Sequence, residues 1–106
     1  MAPYAVTRVH GPSWDKSRPL REQEKWDEHA AFMDALTEEG FVVLGGPVGE
    51  AGDVLLIVDA ESEGEIEARL VADLWTPMGL LRTVKIERWE ILLGETDLGA
   101  RTARDL

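Results

Sequence analysis

An α+β domain with the element order βαββαβ is the fold class the sequence predicts. Three observations predict it: two segments with helical apolar spacing, four short segments rich in β-branched and aromatic residues, and turns marked by glycine or proline between them. The 106 residues suffice for one domain with one modest core.

The first strand is expected from Tyr4 to His10, closed by Gly11-Pro12. Strand alternation puts Tyr4, Val6, Arg8 and His10 on one face and Ala5, Thr7 and Val9 on the other. A polar loop carrying Trp14 follows to about Leu20. The first helix is expected from around Leu20 to Glu39, with Gly40 placed to end it. Phe41-Val42-Val43-Leu44 reads as a short buried strand stopped by Gly45-Gly46-Pro47, and Val54 to Val58 as its hairpin partner. Ser62 and Glu65 have capping-box spacing, and Ile66, Leu70 and Leu74 continue as a second helix. A fourth strand is expected from about Arg82 to Ile91. The order is ferredoxin-like, with the domain over residues 1–93 and a polar tail over 94–106.

Val54 to Val58 and Phe41 to Leu44 are apolar at every position, which predicts cover on both faces of the sheet. Both helices of such a unit pack on one face. A second copy joined sheet to sheet is the expected cover for the other, giving a homodimer with an enclosed cavity. The alternative is that loop or tail residues fold over that face.

The composition excludes several functions. Twenty-one acidic against 11 basic residues give a formal net charge of −10, which opposes nucleic acid and anionic membrane surfaces. With no cysteine there are no disulfides, thiolate nucleophiles or thiolate-ligated metals. No apolar segment approaches the ~20 residues of a bilayer span. The opening residues lack the pattern of a signal peptide, so the expected location is the cytoplasm. The glycines of Gly45-Gly46-Pro47-Val48-Gly49 lack the Lys-Ser/Thr of a phosphate loop, and the two histidines lack metal-ligand spacing. No cofactor and no metal are therefore expected.

Two residues are out of place. His29 falls near the middle of the apolar arc made by Trp26, Phe32, Met33 and Leu36, where a titratable group needs a partner or a purpose. Asp73 lies close to the apolar direction of Ile66 and Leu70, near an expected helix C-terminus that disfavours its charge. Helices on one side of a sheet could bring the two together, either as an oriented proton carrier or as a structural hydrogen bond. His10 shares its strand face with Arg8. If that face lines a dimer cavity, the pair offers a titratable group and a cation for an anionic ligand; otherwise His10 is an exposed strand end. Trp14 and Trp75 either wall a site or serve packing, and Trp26 reads as core.

Trp26-Asp27-Glu28-His29-Ala30-Ala31-Phe32-Met33, Gly40-Phe41-Val42-Val43-Leu44-Gly45-Gly46-Pro47, Leu55-Leu56-Ile57-Val58, Ala72-Asp73 and Arg88-Trp89 together resemble the YciI-like (YCII-related) family over about Tyr4 to Leu93. The resemblance implies a dimeric α+β barrel of two ferredoxin-like units. It also implies active-site roles for His29 and for Asp73, the latter within the family's Ala-Asp-Pro-aromatic motif. Leu74 stands where that motif has proline, which could let the second helix run on; Trp75 keeps the aromatic. Some members, among them a dehydrochlorinase of chloroaromatic breakdown, also use a histidine at the end of the first strand, the position of His10. The implied activity is a cofactor-independent lyase or isomerase acting on a small oxygenated metabolite, cyclic or aromatic-derived. Asp73 would orient His29 or His10, Arg8 would hold an anionic group, and Trp14 and Trp75 would exclude water. The other reading is a small-molecule-binding or accessory module of the same fold.

Overall fold

The structure is a computed structural model and describes residues 1–94; the expected tail over 94–106 lies, apart from Gly94, outside the described residues. The order is β1 (Ala2–His10), α1 (Trp26–Glu38), β2 (Val42–Val48), β3 (Asp53–Ala60), α2 (Glu63–Val71) and β4 (Leu81–Arg88), with a short 3₁₀ turn at Leu20–Glu22. The four strands form one sheet in the order β2-β3-β1-β4, every neighbouring pair antiparallel. This is the ferredoxin-like α+β fold. No helix among the described residues is long and apolar enough to cross a membrane.

Alternation along β1 sorts the layers. Tyr4, Val6 and Arg8 are buried, and they pair across the sheet with Val58, Leu56 and Val54. This face carries the main core, where Leu36 of α1 and Ile66 and Leu70 of α2 close over Val6, Val42, Leu56 and Val58. Period-2 strands and period-3.6 helices present matching apolar surfaces here, and their burial is the main drive for the fold. The opposite face carries Ala5, Thr7, Leu55 and Ile57. Ile91, just past β4, folds back onto Ile57, Ala5 and Val43, so the chain covers part of this face itself. Leu55 and Trp89 remain partly exposed beside it.

Helix ends follow local chemistry. Gly40, at φ 83°, lets the Phe41 amide reach the Leu36 carbonyl at 3.0 Å while its own amide meets Thr37, a left-handed cap open to glycine. Ser62 caps α2 by accepting from the Glu65 amide at 3.1 Å. The Glu65 carboxylate reaches back to the Glu61 amide, one residue earlier than a capping box requires.

Three sequence expectations need correction. α1 starts at Trp26, not near Leu20, because Gln23 is taken up by the preceding loop. Its buried amide donates to the Asp15 and Arg18 carbonyls and accepts from the Asp15 amide. β2 does not stop at Gly45 but runs through Gly45-Gly46-Pro47 to Val48, since an edge strand tolerates the amide that proline lacks. α2 ends at Val71 with Ala72 as its cap, so Leu74 in place of proline does not prolong it.

Ser62→Ala should cost about 1 kcal/mol of unfolding free energy, the usual worth of a serine N-cap. Urea denaturation with an unchanged m-value checks this; an unchanged midpoint would show that the cap carries nothing.

Candidate active site

The site grows from a turn. Past α2 the chain folds through Asp73, Leu74, Trp75 and Thr76, with the Asp73 amide on the Leu70 carbonyl at 3.1 Å and the Thr76 amide on the Asp73 carbonyl at 2.9 Å. This aims the Asp73 side chain inward, where it is fully buried. Lying just past the C-terminus of α2, it stands at the negative pole of that helix, which the donors around it must also offset.

Three elements converge on that carboxylate. His29 Nδ1 of α1 lies 2.9 Å from Oδ1 and 3.0 Å from Oδ2. Arg8 Nη1 of β1 donates to Oδ2 at 2.9 Å, and the Trp75 amide donates to Oδ1 at 3.1 Å. Arg8 Nη2 donates to Thr76 Oγ1 at 2.6 Å, and that hydroxyl passes its hydrogen to the Leu70 carbonyl at 2.8 Å. Burial alone would push the Asp73 carboxyl up. The hydrogen bonds from His29 and Arg8, the charge of His29 and the Trp75 amide outweigh it and hold the group below its ordinary value. Asp73 is therefore an anion, and an ionised carboxylate only accepts. Nδ1 of His29 must carry a hydrogen, so in the neutral imidazole Nε2 is the lone-pair base.

Aromatic rings fix the imidazole. Trp75, with no exposed surface, stacks on His29 at 3.8 Å and 4° between planes. Trp26 tilts against both rings at 5.8 and 5.9 Å. The Trp75 indole N–H donates to the Glu24 carbonyl at 2.7 Å. That bond ties down the residue next to Lys25, whose φ of 62° costs roughly 1–2 kcal/mol for a side chain with a Cβ. The strained turn sets the angle at which α1 presents His29.

His29 and Arg8 both border a cavity of about 220 Å³ between α1 and the sheet, walled by Trp26, Met33, Leu56 and Leu81. Gly45 belongs to its β2 side; a Cβ there would stand 2.6 Å from Leu56 Cδ2, so glycine keeps that wall thin. An apolar cavity of about 150 Å³ accepts benzene, so this one matches a single substituted ring. A larger open groove of about 450 Å³ runs between α2 and β4; Thr76 borders it, while His29 and Asp73 do not line it.

Of the residues singled out from sequence, His29, Asp73 and Arg8 meet as one cluster and Trp75 backs it. Arg8 does not face a chamber between sheets. Alternation is right about its companions, but the face they share is the helix side, so the cluster belongs to a single chain. Its guanidinium is committed mainly to Asp73 and Thr76. His10 and Trp14 lie outside the cavity wall: they stack on each other at 3.7 Å, and Trp14 meets Trp75 edge-on at 5.8 Å. Sequence reading missed Thr76, which carried no anomaly; Trp26, read as core, packs against the Trp75, Leu80 and Leu81 cluster and also lines the cavity. Among the described residues no group of three or more His, Asp or Glu is placed to hold a metal ion.

No family model matches the chain, and no curated protein matches it. Among solved structures it is similar to 5-chloro-2-hydroxyhydroquinone dehydrochlorinase from Burkholderia phenoliruptrix, in complex with 2,5-dihydroxybenzoquinone. The TM-score is 0.55 and the identity 26%, over 82% of this chain and 92% of that one. The likeness supports the fold family that the sequence resembles.

Asp73→Asn removes one partner from a buried ion pair and should cost about 3–5 kcal/mol at pH 7. Because folding lowers the Asp73 value, its stabilisation is complete above the ordinary carboxylate value near 3.9 and is lost as pH falls through the lower folded one. Urea unfolding of parent and variant should show a gap that holds down to about pH 4 and closes below it. A gap that does not change down to pH 2 would mean that Asp73 is not the anion of the cluster.

Proposed function

We propose that this protein is a proton-transfer enzyme, a lyase or isomerase, acting on a small oxygenated single-ring metabolite. The observation that carries the reading is the His29–Asp73 pair: a buried imidazole held at Nδ1 by a carboxylate, on the wall of a ring-sized cavity. Nε2 of His29 takes a proton from a carbon next to a carbonyl or ring hydroxyl, and Asp73 steadies the imidazolium that results. The proton then returns at another position, or leaves with a departing group as the acid HX. Trp75 and Trp26 keep water from the imidazole. His10, stacked on Trp14 outside the cavity wall, braces the indole column in this reading. The reaction of the similar dehydrochlorinase, on a hydroxylated chloroaromatic ring, is of this class and supports the choice of substrate.

The proposal extends to assembly. The outer sheet face keeps Leu55, Trp89 and Leu44 partly or largely exposed after Ile91 has covered Ile57. A second copy laid sheet to sheet buries that remainder. Such a partner stands behind the site and does not enclose it.

Incubated with 5-chloro-2-hydroxyhydroquinone in D2O, the protein is expected to release chloride or to exchange ring hydrogen. His29→Asn should be slower by roughly 10²–10⁴-fold, the usual worth of a positioned acid–base group. Binding with neither elimination nor exchange would leave a ligand-binding module and end the enzyme reading. Sedimentation at micromolar concentration should give a dimer, and Leu55→Glu should dissociate it without unfolding the subunit. A parent protein that sediments as single subunits removes the sheet-to-sheet assembly.

A further inference from the structure

The cavity between α1 and the sheet is not equally closed along its length. Arg8 and Leu56 on the sheet wall are buried, and so is His29 on the helix wall. Farther along α1, Asp34 and Thr37 are exposed, as are Gly45 and Pro47 on the β2 wall. The cavity therefore opens between the second half of α1 and edge strand β2, with His29 inside and Asp34 at the mouth. Arg8 and Asp34 are the two lining side chains with a full charge at neutral pH, and they are not equivalent. The charge of Arg8 is balanced by Asp73 at 2.9 Å. The Asp34 carboxylate has no ion pair among the described residues. Thr37 beside it donates its hydroxyl hydrogen to the Met33 carbonyl at 2.9 Å, so toward a ligand it only accepts. The mouth thus calls for a donor, and a positively charged one gains most. The formal net charge of −10 over the whole chain adds to that field.

We infer that the cavity takes a single ring bearing a short cationic arm, with the ring against His29 and an ammonium at Asp34. The two residues are five apart in α1, about 7.5 Å along a helix axis, which a hydroxylated ring with a two-carbon amine arm spans. This rests on the cavity being the ligand site proposed above, and it names the substrate class. Asp34 touches the arm and not the reacting carbon. It decides which ring is held and takes no part in the proton transfer.

Three phenols that differ in the charge of one arm test this: 4-(2-aminoethyl)phenol, 4-ethylphenol and 3-(4-hydroxyphenyl)propionate. Each is titrated into the full chain at pH 7, with binding in the cavity read from the His29 ring signals by NMR. The amine should bind tightest and the propionate weakest, with roughly 3–5-fold in Kd per step, the worth of a solvent-exposed charge pair. High salt should narrow the steps. Asp34→Asn should bring the amine and 4-ethylphenol to equal affinity, and Asp34→Lys should put the propionate first. Equal affinity of all three for the parent overturns the inference and leaves the His29 reading intact, as does an amine preference that survives in Asp34→Asn. A parent that binds the propionate best also overturns it, and gives recognition to Arg8. The expected order with neither elimination nor hydrogen exchange on any ring ends the enzyme reading and leaves the inference standing. No His29 shift with any of the three ends both.

Discussion

A carboxylate sealed from water is the constraint on which the rest of this structure depends. Asp73 has no exposed surface, and an isolated ionised carboxylate in such a place would cost far more than the net stability of a domain this size. Donors supplied by three separate parts of the chain make it tolerable: Arg8 from β1, His29 from α1, and the Trp75 amide from the turn itself. Each of those elements is fixed by having to reach the same two oxygen atoms. Thr76 holds Arg8 from its far side, and Trp75 holds both the imidazole and the approach to α1. Beside Arg8, an extra residue in β4, Val84, shifts the register between Thr7 and Arg8, as bulges near functional positions often do.

The charges of the cluster suit the proposed proton transfer. Arg8 and Asp73 cancel, so with neutral His29 the group has no net charge and is cheap to bury. Taking up a proton at Nε2 makes the group cationic, and Asp73 is already in contact with the ring that receives it. A buried ion pair seldom stabilises a fold more than well-packed apolar side chains would. The arrangement therefore gains little as a staple. What sets it apart from a structural bridge is that two of its three members also form the wall of a ring-sized cavity.

Much of this was legible in the sequence, and the parts that were not share a cause. The element order, the Gly40 cap and the serine cap followed from periodicity and local hydrogen bonding. His29 and Asp73 stood out because a polar group on an apolar stripe violates the pattern around it. Arg8 was grouped with the correct strand face, yet period-2 alternation says which residues share a face and not which layer that face meets. Its partner lies 65 residues away, a distance no local rule spans. The same holds for the start of α1. Leu20 to Lys25 has respectable helical propensity, but Gln23 is claimed by the Asp15 and Arg18 backbone and Glu24 by the Trp75 indole. Tertiary hydrogen bonds overrode propensity there. In β2, glycines and proline read as a strand end, whereas an edge position has little need of their missing groups.

The two faces of the sheet thus carry separate tasks. On the helix side, the core thins between α1 and β2 because Gly45 offers no side chain, and the cavity opens where His29 and Arg8 reach it. On the outer side, Ile91 covers Ile57 and leaves a smaller apolar patch around Leu55 and Trp89. β1 and β3 form the middle of the sheet and serve both tasks at once: Arg8 and Leu56 point to the site, Ala5, Leu55 and Ile57 to the other face. A change at one outer position can reach the cavity only through the strand that bears it, by altering twist or register. The proposed chemistry therefore has its whole setting within one chain, and a partner on the far face would act on it as support.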